Sequence, residues 1–402
     1  MDLQRAFRPA RSPGRMIAIG IGAIAVVAGA IAGGVAIASS SSASFAAVAG
    51  PPGTPSARSD ATIGYDPDTK QVVMFGGMGD YGSLGDTWVF SDSTWRQEHT
   101  SQAPAARGDA AMVFDPKLRA LVLFGGWATG NSGDLNSTWL WTGNAWDRRT
   151  TATVPYGIYD QTTLTQDHMA YDAATGKVVM AGIPGELEYQ SCSAETWTFD
   201  GTDWQLQHPA TELPSSETAI VDEPQTGHVL AVLTARDAID NPRGSQSCPV
   251  GSADARPLAG SSTWRWTGST WVQVSTGSEP GGGIDGSEPN GTLQSLQDVV
   301  GTSMVATGVA TETLWAWNGR RWSEVAGSSA GPPATWQNVQ SDDGDGVMLF
   351  GGAGLNNGPD TAETWVWDGS HWRQLHTARY AAPTPTPLPP TQNPDVVTPA
   401  AP

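Results

Sequence analysis

The side chains best suited to recognition in this sequence are aromatic rings and arginines in the segments between predicted strands. Trp127 directly follows the glycine pair at 125–126 and opens such a segment. An aromatic ring in that place favours contact with a sugar ring or with an apolar side chain of a protein partner. We predict that Trp127 shares one binding face with four further residues, Tyr81, Tyr189, Arg236 and Arg243. The alternative is that Trp127 only covers the glycines beside it.

Histidine and acidic residues show no spacing that predicts a metal site or a catalytic group. His99, His208 and His376 each follow a tryptophan by four residues. They therefore take the same place in three separate repeats and cannot converge on one ion. The acidic stretch at 342–346 lacks the further ligands and the bidentate glutamate of an EF-hand. We expect no metal, no cofactor and no catalytic residues.

A step of seven residues from one tryptophan to the next is the repeated unit of the chain. It occurs at Trp88 and Trp95, Trp139 and Trp146, Trp197 and Trp204, Trp264 and Trp271, Trp315 and Trp322, and Trp365 and Trp372. Successive copies begin 50 to 67 residues apart, a period typical of propeller repeats. Most copies carry a central glycine, as in Asp368-Gly369, which favours a two-residue type I′ turn. We expect a hairpin with Trp365 directly opposite Trp372.

Short apolar runs that end in paired glycines precede several of these hairpins. The runs are Val72–Phe75, Leu121–Phe124 and Val347–Phe350. None of them alternates with polar residues, so each predicts a central strand that is covered on both faces by neighbouring sheets.

Paired glycines after an apolar strand, then Asp-Thr-Trp or Glu-Thr-Trp, then a second tryptophan, resemble the kelch repeat. The resemblance extends over residues 58–376. It implies four-stranded blades around a central channel, and the six repeats imply six blades. The expected fold is therefore all-β, a six-bladed kelch-type β-propeller at 58–378 that follows a single N-terminal transmembrane helix. Residues 181–182, 233–234 and 307–308 depart from the glycine pair.

Some kelch-type propellers are enzymes that act on sugars, namely galactose-oxidase-like proteins and sialic-acid mutarotases. The oxidases need a copper site with two histidines and two tyrosines, one of them linked to a cysteine, and no residues here fit that motif. Resemblance to the mutarotases directs attention to an acid and an arginine at the channel mouth. Arg236, Asp237 and Arg243 are residues of these types, although no motif aligns them one by one.

Cys192 and Cys248 are the two cysteines of the chain. They lie in equivalent segments of the third and fourth repeats, between the second and third predicted strands, and such segments of adjacent blades share one face. Two cysteines in an exported protein are more often paired than reactive. We predict a disulfide, with free thiols as the alternative.

The N-terminal part of the sequence carries a membrane signal. Residues 16–38 are uncharged and apolar, and about 20 such residues suffice to span a bilayer. Residues 1–15 hold four arginines, which predicts that this segment stays in the cytoplasm and that the rest of the chain lies outside. A cleaved signal peptide with its site near Ala49 is the alternative, and the protein would then be secreted.

The segments that flank the repeats have the composition of spacers. Residues 39–57 are rich in Ser, Ala, Gly and Pro, and residues 379–402 are rich in Pro, Thr and Ala. We expect a flexible linker and a disordered tail. The formal net charge of the chain is −19, and a field of this sign repels nucleic acid.

Three classes of function remain open. The first is a membrane-anchored module that binds a protein or carbohydrate ligand, because loops of unequal length on a rigid propeller can form a recognition face without a catalytic group. The second is a carbohydrate-active enzyme similar to the mutarotases or oxidases. The third is a structural spacer at the cell surface.

Overall fold

The structure is a computed structural model. It describes the residues in these ranges: 53–129, 136–155, 168–182, 193–214, 217–234, 261–276, 292–296, 304–308, 312–325, 331–332, 339–342, 346–354 and 358–376. The predicted membrane helix at 16–38, the segment at 1–15, most of the linker at 39–57 and the tail from 379 lie outside these ranges. Within the described residues, no helix is long and apolar enough to cross a bilayer.

The regular elements of the described residues are β-strands that form antiparallel sheets in chain order. Sheet one contains β1 (Thr62–Asp66), β2 (Gln71–Phe75), β5 (Thr87–Ser91) and β6 (Thr94–Glu98), and the short pair β3 (Met78–Gly79) and β4 (Gly82–Ser83) connects β2 to β5. Sheet two contains β7 (Gly108–Asp115), β8 (Ala120–Trp127), β9 (Thr138–Trp141) and β10 (Trp146–Arg149). Sheet three contains β11 (Met169–Asp172), β12 (Lys177–Gly182), β13 (Ser193–Phe199), β14 (Trp204–Gln207) and β15 (Leu213–Pro214).

The second half of the chain repeats this arrangement. Sheet four contains β16 (Glu217–Glu223), β17 (His228–Thr234), β18 (Ser262–Trp266) and β19 (Trp271–Thr276). Sheet five contains β20 (Thr292–Leu296), β21 (Met304–Gly308), β22 (Glu312–Trp317) and β23 (Trp322–Glu324). Sheet six contains β24 (Val339–Asp342), β25 (Val347–Phe350), β28 (Thr364–Trp367) and β29 (Trp372–His376), and the short pair β26 (Ala353–Gly354) and β27 (Gly358–Asp360) connects β25 to β28.

The first strands of the sheets contact one another around a closed ring. The contacts run from β1 to β7, β11, β16, β20 and β24 in turn, and β24 contacts β1. Sheets that radiate from such a ring are the blades of a β-propeller. Five of the sheets have four strands, whereas sheet three has a fifth, because β15 pairs with β13. The expectation of uniform four-stranded blades is therefore wrong for sheet three.

The second strand of sheet one is buried between its two neighbours. Val72 and Met74 pack in a cluster with residues of sheet six, and Val73 and Phe75 pack in a cluster with residues of sheet two. All four side chains are buried. The prediction of a central strand with two apolar faces is confirmed, and the contact with sheet six joins the two ends of the repeat array.

The predicted register of the tryptophan hairpin is wrong by two residues. Trp372 lies opposite Trp367, and Trp365 lies opposite Gln374. The loop therefore contains the four residues between Trp367 and Trp372 rather than two. Asp368 is the physical reason, because its Oδ1 accepts hydrogen bonds from the backbone N–H groups of Ser370 and His371, each over 2.9 Å. Such an Asx turn satisfies the donors that a longer loop leaves unpaired.

The first hairpin, which lacks the glycine, is the one that adopts the two-residue turn. Ser91 pairs with Thr94, and the two residues between them have φ angles of 49° and 61°. These are Asp92 and Ser93, and positive φ at both central positions is the requirement of a type I′ turn. Phe90 and Trp95 face each other as a result, with ring centroids 5.1 Å apart.

The second tryptophan of a hairpin also fastens its sheet to the preceding one. Trp146 Nε1 donates to Thr87 Oγ1 over 2.9 Å, and Trp204 Nε1 donates to Thr138 Oγ1 over 2.9 Å. The threonine in each case directly precedes the first tryptophan of the previous hairpin. The same bond joins Trp271 to Thr196 and Trp322 to Thr263. The Thr-Trp motif thus supplies a hydrogen-bond acceptor for the next sheet.

Candidate functional site

Two buried arginines organise the end of the propeller where the second and third strands of each sheet are connected. We call it the loop end. Arg58 donates to Gly76 O over 2.8 Å and to both carboxylate oxygens of Asp86 over 2.7 and 2.8 Å. Arg107 donates to Gly125 O over 2.9 Å. Each guanidinium thus holds a glycine pair of its own sheet in place. Each arginine thereby donates to a backbone carbonyl that would otherwise be buried without a hydrogen-bond partner.

The glycine pairs are needed because the next sheet approaches them closely. A Cβ at Gly76 would lie 2.3 Å from Arg107 O, and one at Gly351 would lie 2.6 Å from Arg58 O. Both glycines also have positive φ, at 67° and 70°. The glycine pair is therefore a contact between neighbouring sheets at the loop end.

Asp60 and Asp109 occupy equivalent places, each just after one of these arginines. Both have positive φ, at 52° and 54°, a conformation that costs energy for residues other than glycine. The backbone N–H of Asp109 donates to Asp60 O over 2.8 Å. The pair is therefore held together across the boundary between sheets one and two.

The Asp60 carboxyl is buried without full compensation. The residue is 6% exposed, Oδ2 accepts from Ser59 Oγ over 3.0 Å, and Oδ1 has no hydrogen-bond partner among the described residues. Burial raises the pKa of Asp60 to about 6, the negative charge of Asp360 raises it as well, and hydrogen bonds with Ser59 and Asp109 oppose the rise. A proton between two adjacent carboxyl groups relieves the repulsion between them.

Trp127 is tied to the second of these acids. Its Nε1 donates to Asp109 Oδ2 over 2.6 Å. Trp127 is the last residue of β8, paired with Gly108, so it ends a strand and does not open a loop as the sequence suggested. The indole remains half-buried and is held at the loop end by the strand and by the carboxylate.

Tyr81 lies beside this region at the tip of the hairpin formed by β3 and β4. It is 85% exposed. Ser83 N–H donates to Thr129 Oγ1 over 3.2 Å, and Thr129 N–H donates to Ser83 Oγ over 2.8 Å. The Tyr81 hairpin of sheet one is thereby braced against the segment that follows Trp127 in sheet two.

Sheet six contributes a further carboxylate to the same place. Thr361 O accepts from Arg58 N–H over 3.2 Å, and Arg58 O accepts from Gly352 N–H over 3.0 Å, so the end of β27 lies against the segment that carries Asp60. Burial raises the pKa of Asp360, and the negative charge of Asp80 raises it further. We call Asp60, Asp80, Asp109 and Asp360 the acidic rim.

Two of the five predicted binding residues, Tyr81 and Trp127, lie on braced neighbouring segments of the loop end. The other three, Tyr189, Arg236 and Arg243, lie outside the described residues, as do Cys192 and Cys248 with their predicted disulfide. Among the described residues, no group of three or more His, Cys, Asp or Glu is arranged to hold a metal ion.

The acidic rim was not predicted from the sequence, although the sequence carries a signal for half of it. Arg58-Ser59-Asp60-Ala61 and Arg107-Gly108-Asp109-Ala110 share the pattern Arg-x-Asp-Ala, 49 residues apart. A repeated arginine and acid at the start of the first strand would have indicated two equivalent buried groups.

Comparison with known proteins does not identify a family for this chain. No family model and no curated protein matches the chain. Among solved structures, that of YjhT aligns with 80% of this chain and 99% of its own, with 14% sequence identity and a TM-score of 0.49. At this level no functional residue can be carried over.

Proposed function

We propose that this chain is a binding module, a six-bladed propeller of the kelch type that recognises a protein or carbohydrate ligand at its loop end. The observation that carries the proposal is the braced pair of segments that hold Tyr81 and Trp127. A highly exposed tyrosine and a half-buried tryptophan offer apolar rings with polar edges. Because hydrogen bonds fix both segments, little conformational entropy is lost when a ligand binds.

The kelch assignment is supported by contacts as well as by motif. The glycine pairs of sheets one and six approach the backbone of Arg107 and Arg58, and the ring of first strands closes through β24 and β1. These contacts explain why the motif needs glycine at those positions.

Alanine substitutions of the two rings test the binding function. The probes are a glycan array and a pull-down of extracellular proteins with the purified full-length chain. Once a ligand is found, Trp127→Ala and Tyr81→Ala are each expected to weaken it at least about tenfold. Leu206→Ala is the matched control, since Leu206 is exposed on the outer strand of sheet three. Undiminished binding by both folded ring variants would move the recognition surface elsewhere.

Location outside the cytoplasmic membrane, with the helix at 16–38 as an uncleaved anchor, is part of the proposal. The support is the length of the apolar stretch and its arginine-rich flank. Carbonate-washed membranes should retain the full-length chain, and external protease should degrade the propeller. A form that begins near Gly50 and is found only in the medium would replace the anchor with a cleaved signal.

A carbohydrate-active enzyme is the second candidate, and the contact between Asp60 and Asp109 favours it. A carboxyl group whose pKa is about 6 can donate and accept protons near neutral pH. Anomeric exchange of reducing sugars, followed by NMR, tests for such proton transfer. A rate above that of buffer that is lost in Asp60→Asn and Asp109→Asn would support the enzyme.

A further inference from the structure

The acidic rim gathers negative charge from three sheets at one place. Asp60 belongs to the segment before β1, Asp109 lies in β7, and Asp360 ends β27. Backbone hydrogen bonds set this order, since Asp60 O accepts from Asp109 N–H and Arg58 N–H donates to Thr361 O. The segment that carries Asp60 therefore lies between the segments that carry Asp109 and Asp360, and this arrangement is fixed by the main chain.

No positive side chain among the described residues balances the central and sixth-sheet acids. The side chains that shift the pKa of Asp60 are Ser59, Asp109 and Asp360, and the charged side chain that shifts the pKa of Asp360 is Asp80. The nearby Arg58 is bound to Asp86 instead. Burial of carboxylates without cationic partners is costly, so the charges of Asp60 and Asp360 are not compensated by the described residues.

The buried side chain of Asp60 also has one carboxylate oxygen without a hydrogen bond. Only 6% of Asp60 is exposed, and its Oδ1 accepts no hydrogen bond from any described residue. Buried polar atoms without a partner are rare in folded proteins and call for a specific explanation. Here the orphaned oxygen belongs to the residue at the centre of the rim.

Aromatic rings beside the rim narrow the class of cation. Trp127 Nε1 is hydrogen-bonded to Asp109, so the indole sits directly next to a rim carboxylate, and Tyr81 adjoins Asp80 in the same hairpin. A carboxylate beside an indole suits an organic ammonium group, which combines charge-assisted hydrogen bonds with attraction to the ring face.

We infer that the acidic rim binds a protonated amine, which Asp109 and Asp360 hold by charge-assisted hydrogen bonds beside Trp127 while Asp60 supplies a buried negative charge beneath them. This inference rests on the proposed binding function and names the chemical class that it selects. The amine belongs either to an amino sugar or to a lysine side chain, since both present the same –NH₃⁺ group. The net charge of −19 also attracts cations over a distance.

Binding of the cation displaces the proton from the rim. Asp60 and Asp109 lie in contact, and a single proton between them lowers their repulsion in the free protein. An ammonium ion performs the same task with a full positive charge. Amine binding is therefore accompanied by proton release, and the affinity for the amine falls as the pH is lowered.

Matched pairs of probes test the inference with the purified full-length chain. The first pair is the chitosan tetramer and the N-acetylglucosamine tetramer, which differ in their amino groups. The second pair is tetralysine and its side-chain-acetylated form. Isothermal titration calorimetry in buffers of different ionisation enthalpy measures both the affinity and the number of protons released. We expect a charged probe to bind and its neutral counterpart to bind at least about tenfold more weakly.

Four variants, one of them a control, separate the site from general attraction to an acidic protein. Asp109→Asn and Asp360→Asn should each weaken the charged probe at least about tenfold. Asn tolerates the positive φ of Asp109, so that variant keeps its backbone. Asp92→Asn is the control, because it removes one charge from an exposed turn at the opposite end of sheet one and should leave the affinity unchanged. Asp60→Asn should abolish proton release.

The pattern of results decides both the inference and the source of the amine. Binding of the chitosan tetramer alone assigns an amino sugar, and binding of tetralysine alone assigns a lysine-bearing protein partner. The inference is overturned if neither charged probe binds, or if Asp92→Asn weakens binding as much as Asp109→Asn does. Neutral ligands that bind and are lost in Trp127→Ala would leave the proposed binding function intact and refute the amine alone.

Discussion

Trp95 Nε1 donates a hydrogen bond to Thr364 Oγ1 over 3.1 Å, across 269 residues of sequence. The bond joins the outer strand of sheet one to the third strand of sheet six. It is the counterpart of the bond from Trp146 to Thr87, but it connects the two ends of the array. The hydrogen bond that joins neighbouring sheets elsewhere in the chain therefore also contributes to closure of the ring.

Removal of this bond should measure its part in closure. Trp95→Phe removes the donor together with part of the indole ring, and Thr364→Val removes the acceptor with little change of shape. Thr364→Val is expected to lower the free energy of unfolding by about 1 kcal/mol, and Trp95→Phe by more, because the smaller ring also leaves a cavity. A double-mutant cycle measured by chemical denaturation should give a coupling energy of about 0.5 to 1.5 kcal/mol. The Trp146–Thr87 pair is the control cycle, and additive effects at Trp95 and Thr364 would show that the bond contributes nothing.

Trp367 should be more important for stability than Trp365. Trp367 is 1% exposed and its ring lies 5.7 Å from that of Trp372, whereas Trp365 is half-buried. Trp367→Ala is expected to cost about 3 to 5 kcal/mol, as truncations of buried aromatic residues do. Trp365→Ala should cost clearly less. Equal losses of unfolding free energy in the two variants would contradict the observed register.

Asp60 should make the folded protein less stable as the pH rises. Its pKa is raised from 3.8 to about 6, so between these values the folded state binds more protons than the unfolded state. The free energy of unfolding from this group therefore falls from about pH 4 to just above pH 6. Thermal unfolding across this range should show a downward trend that is weaker in Asp60→Asn. Identical pH profiles for both proteins would rule out a raised pKa.

Glu223 should have the opposite dependence on pH. It is fully buried and accepts hydrogen bonds from Arg265, from Thr226 over 2.5 Å and from Trp317 over 2.9 Å. Burial opposes ionisation, but hydrogen bonds from Arg265, Thr226 and Trp317 outweigh it and lower the pKa of Glu223. The stability that this group provides is present above the usual pKa of glutamate and is lost as the pH falls through the lowered value.

Substitution of Glu223 provides the measurement. Glu223→Gln should lower the free energy of unfolding at neutral pH by about 1.5 to 3 kcal/mol, the range for hydrogen bonds to charged groups. Glu324→Gln is the control, because Glu324 is exposed at the end of β23. Chemical denaturation at neutral and acidic pH compares the two. A loss for Glu223→Gln no larger than that of the control would mean that the cluster does not stabilise the junction between sheets four and five.

The sequence was a good guide to strands whose signal is local. The apolar run at 72–75 indicated a strand covered on both faces, and Val73 is fully buried. The hairpin register was not predictable from turn propensity, because the side chain of Asp368 caps the loop and makes four residues as acceptable as two. Which loop forms depends on whether the side-chain oxygen of Asp368 reaches the backbone N–H groups that the longer loop leaves unpaired.

The candidate site was predicted in part. Tyr81 and Trp127 were identified as isolated aromatic residues, but their link through Ser83 and Thr129 depends on how sheets one and two meet. Asp60 and Asp109 carried a repeated pattern that looked like ordinary strand starts. Their contact arises only when the ring brings consecutive sheets together, and no local property of either segment expresses it.

The bonds from tryptophan to threonine give the ring a direction. Sheets two to five each offer an indole donor to the sheet before them, and sheet one offers its donor to sheet six. A ring cut at any of these five junctions would therefore expose a donor at one end and the matching acceptor at the other. Two rings opened at the same junction could satisfy these groups in each other. Opening of one junction would therefore favour assembly of the protein with its own copies.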